Sequence, residues 1–254
     1  MGRGISAGIM AAQDMELVAA VDIRGGGRDM GLLAGGEPNG LKIEEDLLAA
    51  IQSRQPQVMV DFTEPQAILA NLRAVLPLGL PCVVGTSGLR EHDFAELDTL
   101  AREHQAPVFV AANFALGAVL MMRFAKEAAH YFPHVEVIER HHDQKLDAPS
   151  GTALSTLAMI AQERQPLVQG APGESELISG ARGGEFQGAR VHSIRLPGYV
   201  ATQEVVFGGP GQLLTIRHDA INRECFLPGV LLAIRKIKSL QGLVIGLENI
   251  IHNA

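Results

Sequence analysis

The residues most able to do chemistry lie close together in ERHHDQKLDAPSGTALS, positions 139–155. His141 and His142 are followed three residues later by Lys145, and Ser150, Gly151 and Thr152 come just beyond. An imidazole exchanges protons near neutral pH and an ammonium brings fixed positive charge, so the pair suits proton transfer next to a bound anion. Ser150 reads as the N-cap of a helix that starts at Gly151. The backbone N–H groups of Gly151 and Thr152 would then face outward, and a helix N-terminus takes a carboxylate or phosphate. Singly, paired histidines are more often solvated surface and Ser-Gly-Thr more often a plain cap. Their closeness on one connection favours a site.

Two elements must hold this cluster: a strand over VEVIER, which alternates apolar and polar residues, and the helix after Ser150. RVHSIRL, ATQEVVFG and QLLTIRHDA follow as strand-like runs without helices between them, which predicts a separate mixed or antiparallel sheet. The stretch 163–188, rich in Gly, Glu, Gln and Ser, reads as a surface connection. PGVLLAIRKI and GLVIGLENII read as apolar helices returning to the first part of the chain.

That first part alternates short apolar runs (QVMVDF, CVVGTSG, PVFVAANF) with helical stretches, the pattern of parallel βαβ units. Ligands of such sheets sit at the carboxyl ends of the strands. The rule picks out Asp22, Asp61–Thr63, Gly85, Thr86 and Ser87, and Ala111, Ala112, Asn113 and Phe114. The opening, with Ile5, Ile9 and Ala12 on one face, reads as a glycine-started helix. MELVAAVD reads as a short buried strand ending on Asp22, an acid placed to bind a ribose. This is the second part of a dinucleotide-binding unit, whose usual first strand and leading glycines do not precede it in the sequence. The expectation is that Met1 is an internal position and that the working protein starts further upstream.

With 254 residues, 47% of them hydrophobic, and a net charge of −7, the chain suits one large or two modest domains and argues against binding to nucleic-acid phosphates. No apolar run approaches the ~18 residues of a membrane span. Cys82 and Cys225 lack metal-ligand spacing and read as buried small hydrophobes. A cytoplasmic enzyme or binding protein is expected.

The run ERHHDQKLDAPSGTA closely resembles the signature of the dihydrodipicolinate reductase (4-hydroxy-tetrahydrodipicolinate reductase) family. VDFTEPQA, VVGTSGL and VAANFALG are similar to that family's cofactor-domain motifs, and 192–237 to its second domain and return segment. The resemblance covers nearly the whole chain. It implies an α/β fold: a Rossmann-type parallel sheet, its first strand missing from this chain, over 1–113 and 224–254, and an α+β domain with a mixed sheet over 114–223. It implies reduction of 4-hydroxy-tetrahydrodipicolinate by NADH or NADPH, in the diaminopimelate route to lysine. By position, His141 resembles the family's proton donor and acceptor and Lys145 its proton donor. His142, Ser150, Gly151 and Thr152 resemble groups that bind the dicarboxylate substrate. Met1, Gly2, Asp22, Gly85, Thr86, Ser87, Ala111, Ala112, Asn113 and Phe114 match nucleotide contacts. Asp22 favours NADH, and Arg24 could pair with a 2′-phosphate, so dual use leaning towards NADH is expected. A homotetramer through the second domain's sheet and a hinge near Arg223 and Phe226 are also implied. Thr202 departs from the pattern, since relatives often carry His there. Two alternatives stay open: a related reductase of another imine or carbonyl compound, and a non-catalytic remnant that binds no dinucleotide.

Overall fold

The computed structural model describes residues 1–165 and 167–251. Residues 252–254 of the expected cofactor domain, and residue 166 of the 163–188 connection, lie outside the described residues. The chain divides into two compact units, Met1–Phe114 with Phe226–Ala254, and Ala115–Cys225.

The first unit runs α1 (Gly2–Ala11), α2 (Met30–Leu33), α3 (Leu47–Arg54), β1 (Met59–Asp61), α4 (Ile68–Val75), β2 (Cys82–Val84), α5 (Glu91–Glu103) and β3 (Val108–Val110). In the second unit follow α6 (Leu116–Ala129), β4 (His134–His141), α7 (Gly151–Glu163), β5 (Gly184–Phe186), β6 (Ala189–Arg195), β7 (Ala201–Gly209) and β8 (Gln212–Ala220). The chain then returns to the first unit through α8 (Leu227–Lys236), β9 (Leu243–Ile245) and α9 (Glu248–Ile251).

The first unit's sheet is all parallel, in the order β1-β2-β3-β9. Its β2 and β3 are buried along their whole length, as expected of strands covered on both faces. Ile68, Leu72 and Val75 of α4 and Leu97 and Ala101 of α5 pack with Cys82, Val84 and Val108 into one core. On α1, Gly8 leaves room for Leu227 of α8; a Cβ there would lie 2.2 Å from a Leu227 methyl.

Three expectations are corrected, two of them in this unit and the third, on Cys225, at the end of the second unit. MELVAAVD is not a buried strand: Val21 makes one parallel bridge to Glu44, and residues 15–21 stay half-buried or exposed. Its ladder bonds run only from Asp22 N–H to Glu44 and from Glu44 N–H to Ala20, so apolar composition alone does not make it a sheet member. Among the described residues β1 is the sheet's edge and does not pair with it. GLVIGLENII is not one helix, because its first half is β9, paired in parallel with β3. Gly242 and Gly246 bracket that strand at positive φ, and Asp98 of α5 accepts the Leu243 N–H at 2.8 Å, which fixes the strand's start. Cys225 is only half-buried, since it lies in the short 3₁₀ turn Arg223–Phe226 and not in a core element. Cys82 is buried, and that burial, helped by the Asp61 charge, pushes its thiol well above its ordinary value.

The second unit's sheet is mixed, in the order β5-β6-β4-β7-β8. Strand β4 pairs in parallel with β6 and antiparallel with β7. Val135 and Val137 of β4 pack with Met121 and Ala125 of α6, Leu157 and Ile160 of α7, and Phe207 of β7. Strand β5 arises inside the stretch expected to be surface connection only. It forms a hairpin with β6 across Gln187 and Gly188, both at positive φ, the geometry of a tight two-residue turn. Among the described residues no helix is long and apolar enough to cross a membrane.

Candidate active site

In the second unit, the candidate groups gather where β4 ends and α7 begins. His141 closes β4, the loop 142–149 carries His142 and Lys145, and Ser150 caps α7, its hydroxyl accepting the Ala153 N–H at 3.2 Å. His142 and Gly151 are exposed, whereas the His141 and Lys145 side chains keep 16% and 21% of their surface in solvent. These are side chains a small solute can reach without their being loosely held. The Thr152 carbonyl accepts the Thr156 hydroxyl at 2.7 Å, and Thr156 in turn accepts from the buried Gln203 of β7.

Residues that the sequence reading passed over complete the cluster. Glu139 points into the same side of the sheet as Val135, Val137 and His141, and it is fully excluded from solvent. Its Oε2 lies 2.5 Å from His141 Nδ1, and Arg195 of β6 meets both of its oxygens at 2.8 and 2.9 Å. Burial pulls the Glu139 carboxyl upward, but hydrogen bonds from His141, Arg195 and Ser193 outweigh it and hold its pKa at about 2. A buried charge persists only when paired in this way. Lys145 Nζ reaches both oxygens of Asp147 at 2.7 and 2.8 Å, and that bond lowers the Asp147 carboxyl. A signal for Glu139 existed in the sequence: two residues before His141 on a strand, it must share that residue's face. Arg195 had none, because only strand register places it opposite His141. Thr202 is buried, and its hydroxyl donates to Asp219 at 2.8 Å.

In the first unit, Gly85–Ser87 and Ala111–Phe114 lie at the carboxyl ends of β2 and β3, whereas Asp22 lies outside the sheet and Met1 and Gly2 stand at the start of α1. Buried Asp61 at the end of β1 accepts from the Thr63 N–H and hydroxyl, from Asn71, and from the Thr86 hydroxyl at 2.7 Å. One carboxylate therefore ties the turn after β1 to the turn after β2, where Gly85, Thr86 and Ser87 lie. Gly85 is pressed against Phe62, and the Phe62 ring sits 5.5 Å from that of Phe114, in the turn after β3 with Ala111, Ala112 and Asn113. Asp22 is exposed and accepts the Arg24 N–H at 2.7 Å, while the Arg24 guanidinium lies 3.5 Å from Glu64. Met1 is the N-cap of α1 and Gly2 its first residue, with open space where a Cβ would stand.

Two family models match the chain, "Dihydrodipicolinate reductase, N-terminus" over residues 1–114 and "Dihydrodipicolinate reductase, C-terminus" over 117–251. The 4-hydroxy-tetrahydrodipicolinate reductase of Desulfitobacterium hafniense is 53% identical over 99% of this chain and 95% of its own length. That of Moorella thermoacetica is 52% identical over 99% and 94%. A dipicolinate-bound dihydrodipicolinate reductase from Paenisporosarcina sp. TG-14 superposes with a TM-score of 0.87 at 42% identity, covering 99% of this chain and 96% of that one. An amine dehydrogenase from Mycobacterium smegmatis shares the fold alone, with a TM-score of 0.65 at 15% identity, over 96% of this chain and 91% of its own. With both halves of the chain matched and relatives above half identity along nearly its whole length, the chain belongs to the dihydrodipicolinate reductase family.

Proposed function

We propose that this chain reduces 4-hydroxy-tetrahydrodipicolinate to tetrahydrodipicolinate, with release of water, in the route through diaminopimelate to lysine. The observation that carries the reading is the cluster at the end of β4 and the start of α7. It sets an imidazole, an ammonium and a capped helix N-terminus within one connection. A dicarboxylate needs such cations and helix N-terminal groups, and reduction of an unsaturated ring is completed by a proton. His141 acts as proton donor and acceptor and Lys145 as proton donor, while His142, Ser150, Gly151 and Thr152 hold the substrate carboxylates. Residues 114–223 form the substrate-binding and oligomerisation domain, and the enzyme works as a cytoplasmic homotetramer joined through that domain's sheet.

Residues 1–113 and 224–254 bind the nicotinamide dinucleotide, which supplies the hydride when bound. The residues present fit that group. Asp22 offers exposed carboxylate oxygens to ribose hydroxyls, and the Asp61 bonds hold the backbone of Gly85–Ser87 at the carboxyl end of the sheet. Met1 and Gly2 lie at the N-terminus of α1, on the side where a pyrophosphate is favoured. Asp22 favours NADH, and Arg24 permits NADPH.

Steady-state kinetics of His141→Ala and Lys145→Ala test the assignment. Turnover should fall by about 10²–10⁴-fold with little change in NADH affinity. Near-wild-type turnover in both variants would falsify it. Comparing catalytic efficiency with NADH and NADPH in wild type and Asp22→Ala tests the cofactor reading. A strong NADPH preference that Asp22→Ala leaves unchanged removes Asp22 as the discriminating group.

A further inference from the structure

Glu139 is the one fully buried carboxylate among the described residues of the second unit, and three parts of the site meet on it. Oε2 faces His141 Nδ1 and accepts from Arg195 Nη1. Oε1 accepts from Arg195 Nη2 and, at 3.3 Å, from the Ser150 N–H that opens the α7 cap. Arg195 Nη2 also donates to the Asp147 carbonyl at 2.7 Å, in the residue whose carboxylate holds Lys145. We propose that Glu139 is a positioning residue that fixes His141 with its proton on Nδ1, so that Nε2 exchanges the proton with substrate, and that Arg195 extends the same control to the loop bearing Lys145. The inference rests on the function proposed above.

The argument is one of donors and acceptors. An ionised carboxylate only accepts, so the short contact requires a hydrogen on His141 Nδ1. A neutral imidazole has a single N–H, which leaves Nε2 bare and able to take a proton. Arg195 supplies only donors and claims an oxygen on each side of the carboxyl group, so Glu139 has no free edge on which to turn. The positive charge of Arg195 offsets the buried negative charge, and Lys145 and Asp147 offset each other.

Glu139→Gln separates positioning from mere packing, since it keeps the shape and removes one acceptor. The Oε1 position meets two donors, Arg195 Nη2 and the Ser150 N–H, so the amide oxygen stays there, which turns the NH₂ towards His141 and forces the proton to Nε2. The readout is the ring ¹⁵N chemical shifts of His141 in the whole chain, assigned by subtracting the His141→Ala spectrum. Wild type should show the Nδ1–H tautomer and Glu139→Gln the Nε2–H tautomer, with turnover reduced by about 10²–10⁴-fold, the range that general acid–base catalysis contributes. The dissociation constant for NADH should stay at the wild-type value. Glu139→Asp keeps the charge and is the variant to read where Glu139→Gln does not fold; it should retain the Nδ1–H tautomer and recover part of the turnover. Ring shifts that are the same in wild type and Glu139→Gln, or a neutral wild-type ring whose single proton lies on Nε2, overturn the proposal. The function reading fails separately, through wild-type turnover in His141→Ala, and the ring shifts still decide whether Glu139 sets the tautomer.

Discussion

Gly85 shows how little freedom single positions keep near the proposed nucleotide contacts. A Cβ there would lie 2.1 Å from the Phe62 ring, which in turn packs beside Phe114. Gly85→Ala must therefore move either an aromatic ring shared by two strand ends or the turn itself. Overpacking of this kind costs about 1–3 kcal/mol, and the displaced turn should weaken NADH binding about tenfold or more. A thermal melt and a fluorescence titration with NADH read the two effects. Unchanged binding in the folded variant would remove the turn after β2 from the nucleotide site. At this scale the sequence showed residue types well and partners poorly. His141, Lys145 and Ser150 stand out by spacing, and strand alternation and the cap imply Glu139 and the Ala153 N–H beside them, yet Asp147 as the partner of Lys145 and Arg195 as the partner of Glu139 became visible only as distances.

Helix α7 joins stability to the site through opposite features. Its N-terminus carries the Ser150 cap, and its inner face buries Leu157 and Ile160 completely. Ser150→Ala should cost about 1 kcal/mol by freeing the Ala153 N–H and should also raise the KM for the dicarboxylate. Leu157→Ala leaves a cavity against the sheet and should cost about 2–5 kcal/mol, with the KM of the folded protein close to wild type. Urea unfolding and initial rates on both variants check this; a raised KM in Leu157→Ala alone would show that the core, not the cap, sets substrate affinity. Elements long enough to repeat a pattern, such as α1 and β4, were readable from periodicity. β5 and β9 were not, although β1, β2 and β3 are equally short, because β5 lies in a Gly-rich stretch and β9 in an apolar run that also suits a helix, and a neighbouring strand's hydrogen bonds decide both.

For the whole molecule, the paired carboxylates set the direction of pH dependence. Glu139 lies at about 2, because its hydrogen bonds outweigh burial, and Glu136 is lowered although burial opposes it, through His192 and Arg182. A carboxyl whose folded pKa is depressed contributes stability above its unfolded value, and that contribution is lost as pH falls through the folded one. The protein should therefore lose stability steadily from about pH 4.5 towards pH 2, the interval between the ordinary glutamate value and that of folded Glu139. Urea midpoints at pH 7, 4 and 3 measure this. A midpoint that does not move between pH 7 and 3 would mean that these carboxylates are not held ionised by their partners.

The amino-acid sequence by itself determined the class of each half: buried β-branched runs alternating with helices for the parallel sheet, and alternating strands without helices for the mixed one. It also marked the short connection where imidazole, ammonium and helix cap fall together, because these are local patterns within about ten residues. Tertiary structure alone decided that Met15–Asp22 stays outside the sheet, that Leu243–Ile245 joins it, and that Arg195 reaches Glu139 from 56 positions away. Those outcomes depend on which backbone donor finds which acceptor, and on a buried charge finding its counter-ion. Both are set by register between distant segments, which no local pattern of residue types encodes.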